Sequence, residues 1–491
     1  GSYRTLNPAV QSGAGVGVPG SQIFAGLVLI DDKYQPTPYL ATDWKVSDDA
    51  LTYTFHLVKG AVFHDGKPIT SEDVAYSMKA VRANHPFGAA MFGNVAEIET
   101  PDPLTVMFRL SKPTPGFMLS LQPLLLPILP KHVYDDGKDL KTHPRNMENV
   151  VGSGPFIVAE NNPSQRLVLR RNPHFFVAGR PYLDQITFEV SKDPLTRMLM
   201  LEKGDLEFAP FSGLRPLDVE RLAKNPKMHV TSKGYDAIGY LHYLEFNLRK
   251  PPFNDLRVRQ AFAYAVDVQF ISKVLFRNQA AVATGPLHTG NPNYTSDVTH
   301  YSLNLKKAAE LLDAAGYKVD QSGKRFSMTL DVPNWAVQTQ VPIAEYLRPQ
   351  LAKLGIDVTL RRSPDFATWA SRISGFDYEA TINGSFNYPD PTIGVDRLFL
   401  CSNIRNLIWA NTEGYCNPKV DELLGAAAVE VNQDQRKKLY AEFQRKIVDD
   451  LPFLHLVQEP VTTIYRNDVK NVPAGVFGPL APWDGIQLDR Q

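Results

Sequence analysis

A chain of 491 residues with 43% hydrophobic and 21% charged residues can bury a large core, and because a single core stops growing near ~250–300 residues it should divide into at least two lobes. Lys and Arg number 52, as do Asp and Glu, so no overall field favours nucleic acid or an anionic membrane, and ligand selectivity has to come from local groups. The longest apolar stretch, Leu119 to Leu129, is interrupted by Gln122, Pro123 and Pro127 and falls short of the ~20 residues of a membrane span.

Along the chain, strand and helix signals alternate, which predicts a mixed α/β protein. The sequence opens Gly1-Ser2-Tyr3 without the basic and apolar regions of a signal peptide, as expected of a mature chain. Gly15-Val16-Gly17-Val18-Pro19-Gly20 satisfies G-x-G-x-x-G, but Pro19 and the absence of strand and helix signals around it argue against a dinucleotide loop. Leu51 to Leu57 alternates as a half-buried strand, and Asp65-Gly66 marks a turn after it. Thr70, followed three residues later by Asp73, should start a helix from Ser71 to Ala83. Gly152-Ser153-Gly154-Pro155 lacks the spacing of a nucleophile elbow and reads as a tight loop.

Further on, Asn304 and Gly316 bracket an amphipathic helix that repeats Ala308, Leu311, Leu312 and Ala315 on one face. A second helix spans Ile343 to Leu354, which Pro349 should kink or shorten. Ile356 to Leu360 alternates as a strand, and Gln435 to Asp449 makes a last long helix. The 11 histidines do not cluster as metal ligands. No catalytic triad or carboxylate pair stands out, and no cofactor is expected. The two cysteines, Cys401 and Cys416, sit close together in a loop-like segment. That favours a disulfide over two buried thiols, and a disulfide implies an oxidising compartment.

Several of these segments, in order, resemble the extracellular solute-binding proteins of family 5, which include the dipeptide, oligopeptide and nickel binding proteins of bacterial ABC importers. Phe55 to Val74, with His64-Asp65-Gly66-Lys67 inside it, is similar to the family signature. Val151 to Phe156, Arg171 to Phe176, Pro181 to Asp184 and Leu201 to Asp205 resemble the blocks that follow. Phe246-Asn247 with Pro252 to Ala261 resembles the opening of the second lobe, and Cys401 with Cys416 to Asp421 a cysteine pair found in many members.

The resemblance implies a periplasmic binding protein of type II, with two hinged lobes and an extra subdomain in the first. A ligand is enclosed between the lobes, and a monomer presents it to membrane permease subunits. It places residues 1–245 and 456–491 in the first lobe, with an inserted subdomain at about 45–188, and 246–455 in the second. Two other readings share the fold: a peptide receptor proper, and a ligand-sensing receptor for chemotaxis or signalling. An enzyme would need a nucleophile and base converging in the cleft.

In this family the loop corresponding to Gly384 to Pro391 faces the cleft, so Ser385, Phe386, Asn387 and Tyr388 are the expected ligand contacts. Aromatic faces there supply contact area, and small polar groups orient a ligand. Asp390-Pro391 reads instead as a structural turn. Trp335 fits a ligand stack or the core equally, and His288 lies in a proline-bounded loop that resembles a cleft-facing one. Peptide-binding members hold the ligand's amino group with an Asp that aligns here with Asn387, and the Arg some use against its carboxylate falls near Thr381. Both departures turn the expectation from free peptides toward opines, sugar conjugates or other polar small molecules.

Overall fold

The computed structural model describes residues 3–191, 193–333 and 338–489. The chain forms two compact units. One comprises Gly1–Leu214, Asp218–Asp236 and Thr462–Gln491, the other Arg215–Leu217 and Ala237–Val461. The bounds at Ala237 and Val461 keep whole the two strands in which Tyr243, Leu244 and Glu245 pair with His455, Leu454 and Phe453.

In the first unit, strands Ala41–Val46, Thr52–Leu57, Thr105–Leu110 and Val95–Asp102 form an antiparallel sheet in that order. Tyr53, Phe55 and Leu57 are buried and the residues between them are not, as the alternation predicts. The helix Ser71–Asn84 begins where expected, with Asp73 Oδ2 accepting from the Thr70 amide at 2.9 Å and its hydroxyl at 3.0 Å. His64 joins two of the recognised blocks: the Gly152 amide donates to Nδ1, and Nε2 lies 3.0 Å from the Gly154 carbonyl. Burial lowers its pKa to about 4, so the imidazole stays neutral. The glycines from Gly15 to Gly20 lie inside a helix, Ala14–Ile23, which also contains Pro19. The helix missing from the sequence reading is thus present, but its start lies before these glycines, so they form no phosphate-binding turn.

The second unit is built on a six-stranded sheet: β1 (Tyr240–Phe246), β2 (Ala281–Val282), β3 (Phe326–Pro333), β4 (Ile356–Ser363), β5 (Ala380–Phe386) and β6 (Phe453–Gln458), in the order β2-β6-β1-β5-β3-β4. β3 pairs parallel with β4 and β5, while β1 pairs antiparallel with β5 and β6. Leu244, Phe246, Leu330 and Ile382 form one core with helices α1 (Leu256–Ala265), α2 (Leu305–Ala314) and α3 (Gln340–Ala352). Tyr243 and Phe453 join a second core with α4 (Pro418–Ala427) and α5 (Gln433–Asp450).

Asn304 caps α2 by accepting from the Lys307 amide at 2.9 Å, and Asn432 caps α5 through Gln435 at 3.0 Å. Helix α3 runs past Pro349 to Ala352 rather than stopping there. Cys401 and Cys416 are disulfide-bonded, with Cα atoms 4.6 Å apart.

Candidate ligand-binding site

β5 extends further than the sequence suggested, so Ser385 and Phe386 are its last residues and not loop positions. Backbone pairing with β1 supports the extension: Ser385 faces Leu241 and Phe386 faces Tyr240. Successive side chains point to opposite sheet faces, and Ser385 is buried. Phe386 is half-buried, with its ring 5.3 Å from Tyr240 at 74° and 6.1 Å from Tyr388. Tyr388 is buried with a left-handed backbone, φ 58°.

The structure brings Asn387 and His288 together across 99 residues of sequence, the His288 amide donating to Asn387 Oδ1 at 2.5 Å. Asn387 Nδ2 donates to the Pro286 carbonyl at 3.2 Å, so both ends of this buried amide are engaged by the neighbouring loop. The approach requires Gly239, φ 49°, because a Cβ there would lie 2.7 Å from His288 Cβ. Gly290 donates its amide to His288 Nδ1 at 3.0 Å, and burial lowers the His288 pKa to about 4. The ring is therefore neutral and carries its proton on Nε2. Trp335 lies outside the described residues.

Asp390 has the structural role its Asp-Pro context suggests. It caps the helical turn Pro391–Gly394 through the Thr392 amide and receives both terminal nitrogens of the Arg436 guanidinium at 2.7 and 2.9 Å. Burial alone would raise its pKa, but the Arg436 charge reverses this and holds it below the ordinary value. Asp396 is buried nearby and is pushed up to about 8, first by burial and then by the Asp390 charge.

Between its unfolded pKa near 4 and this folded value, the native state holds a proton that the unfolded chain lacks, so Asp396 makes stability fall as pH rises. Asp396→Asn removes that titration. The difference in melting temperature between variant and wild type should therefore grow in favour of the variant from pH 5 to pH 8. A difference that is flat over this range would show that Asp396 is ionised throughout.

Sequence reasoning missed several groups. On one sheet face, Glu245 is buried and accepts from Tyr378 Oη at 2.7 Å, Thr412 Oγ1 at 2.6 Å and Asn383 Nδ2 at 2.7 Å. Burial raises its pKa despite these bonds. Glu413 is raised further, by burial and then by the Glu245 charge, and among the described residues its carboxyl oxygens have no hydrogen-bond partner.

On the opposite face, His242 Nε2 bonds Glu459 Oε2, and Gln340 Nε2 lies 3.3 Å from both His242 Nδ1 and Tyr240 Oη. Gly384 leaves room for Tyr240, whose hydroxyl would stand 2.6 Å from a Cβ at that position. The sequence held no sign of this set, since His242 and Glu459 are 217 residues apart and neither lies in a motif.

The family model described as bacterial extracellular solute-binding proteins, family 5 Middle, matches residues 35–406. The probable D,D-dipeptide-binding periplasmic protein DdpA of Escherichia coli K12 is 29% identical over 453 residues, covering 90% of this chain and 82% of its own. The ABC transporter-associated periplasmic binding protein DppA from Helicobacter pylori, solved with the peptide STSA, superposes with a TM-score of 0.85 at 26% identity, over 100% of this chain and 96% of its own. AgaA from A. tumefaciens R10, solved with agropinic acid, gives 0.83 at 26% identity, over 100% and 98%. These matches establish the two-lobed binding-protein fold and the general function: the chain belongs to the bacterial extracellular solute-binding proteins of family 5, the substrate-binding components of ABC importers.

Proposed function

We propose that the solute this protein delivers to its permease subunits is a small polar molecule of the opine or sugar-conjugate kind, and that unmodified di- to pentapeptides are weaker ligands. The fold leaves the choice open, since relatives solved with a peptide and with agropinic acid match equally well. Asn387 carries the reading. It is neutral, and both ends of its amide already hold the loop at Pro286 and His288. An ammonium buried there would have no carboxylate to pair with, at a cost of several kcal/mol, where about 1.4 kcal/mol is already tenfold in affinity. Phe386, Tyr388 and His288 surround that position and are assigned as ligand contacts, with Ser385 supporting them from the other sheet face.

In this reading the first unit, with its segment at about 45–188, is the family's first lobe and the second unit its second. The protein acts as an exported monomer and performs no chemistry on its ligand; the disulfide supports an oxidising compartment. A thermal-shift screen of free peptides against opines and sugar–amino-acid conjugates, followed by calorimetry, tests the ligand class. A cognate solute at 100 times its Kd should stabilise the folded state by about 2.7 kcal/mol. A free peptide that binds more tightly than every conjugate would overturn the ranking.

A further inference from the structure

The pair formed by His242 and Glu459 lies at the end of the six-stranded sheet, with the His242 ring 5.9 Å from that of the core residue Phe276. Three strands converge on it: Tyr240 at the start of β1 pairs with Phe386 at the end of β5, and the Glu459 amide, just past β6, donates to the Tyr240 carbonyl at 3.0 Å. His242 is fully buried, whereas a quarter of the Glu459 side chain is exposed. With the Gln340 amide assigned as donor to Nδ1, Nε2 is the nitrogen that donates to Glu459 Oε2. The imidazole thus fixes the carboxylate's orientation.

Among the described residues no Lys or Arg pairs with Glu459, and its Oε1 accepts no hydrogen bond. The Tyr240 ring lies 4.7 Å from His242 and 5.3 Å from Phe386, and the Glu459 charge, after burial, raises the Tyr240 pKa, which places the carboxylate near that ring. A carboxylate that is oriented, reachable, without a Lys or Arg partner among the described residues and near an aromatic ring has the features that receive an organic cation, through a charge-assisted hydrogen bond and ring contact together.

We propose that Glu459, positioned by His242, receives a protonated amine or guanidinium carried on a part of the bound solute other than the end that meets Asn387. The inference rests on the ligand class proposed above. It places this charge recognition at the end of β6, and assigns Tyr240 and Phe386 as the ring walls beside it. His242 acts through Glu459 and is a positioning residue.

Calorimetry on the full chain tests this with fructosyl-glycine as the probe, compared with the same compound acetylated on its amine. Acetylation removes the positive charge and should weaken binding to the wild type at least tenfold. Glu459→Gln, which keeps an acceptor for His242, should weaken the free-amine probe by a similar factor and bind both forms equally. If the variant retains wild-type affinity for the free amine within twofold, Glu459 is not the receiving group, while the ligand class stands. If the variant fails to fold, the wild type decides: equal affinity for the amine and its acetylated form overturns the proposal. If neither the probe nor its acetylated form binds the wild type, the ligand class fails and takes this inference with it.

Discussion

Asp390→Ala should destabilise the second unit by about 3–5 kcal/mol, the usual cost of leaving one partner of a buried ion pair without its counter-charge. Arg436 is 3% exposed and Asp390 2%, so water cannot replace the lost carboxylate. What remains to the guanidinium is the Ala427 carbonyl at 2.8 Å and the Tyr440 ring at 5.3 Å. Asp396 gives the prediction a second signature. Its carboxyl is kept neutral by burial and by the Asp390 charge, while Arg436 favours its ionised form. Removing Asp390 takes away the repulsion and leaves the Arg436 attraction acting against burial, so Asp396 should ionise at lower pH and partly replace the lost charge. The penalty should then be smaller at pH 8 than at pH 5. Hydrogen exchange of the α5 amides, read at both values, measures it locally, which matters in a chain of two units whose unfolding need not be a single transition. A loss below 1 kcal/mol that does not change with pH would show that the pair contributes no net stability.

The double variant Cys401→Ala/Cys416→Ala should cost roughly 3 kcal/mol, as expected from freeing a loop of this length in the unfolded chain. The bridge spans 15 residues, and within them Thr412 donates to Glu245 while Asn411 holds the Leu400 and Tyr415 carbonyls. Loosening this loop should therefore also expose the buried Glu245 and Glu413 carboxyls, whose pKa values burial raises. Because the loosened native state no longer holds the protons that the intact one does, the variant loses less stability than the wild type as pH rises, and the loss should be smaller at pH 8 than at pH 5. Denaturant titration of the variant beside the wild type measures both effects. Titration of the denatured, unreduced wild type should find no free thiol, and two thiols per chain would remove the bridge from the account.

Local chemistry in the sequence determined much of this protein. The caps at Asn304 and Asn432, the strand at Thr52–Leu57, the helix after Thr70 and the cysteine pair all depend on residues a few positions apart, where periodicity and hydrogen-bonding side chains decide the outcome. The ordered blocks from Phe55 to Asp421 were enough for the family, since each encodes a turn or cap that the fold needs whatever its ligand.

Tertiary structure decided how the candidate site is built. Asn387 looked like a free polar contact because sequence does not show that His288 and Pro286 arrive to occupy both ends of its amide. Ser385 and Phe386 looked like loop residues because pairing with β1, more than 130 residues earlier, is what extends their strand. The helix Ala14–Ile23 formed despite three glycines and Pro19 inside it because eight of its ten residues are buried, and packing outweighs weak local propensity. Glu459 and His242 became neighbours only through the register of three strands, and no local pattern encodes a contact made over that distance.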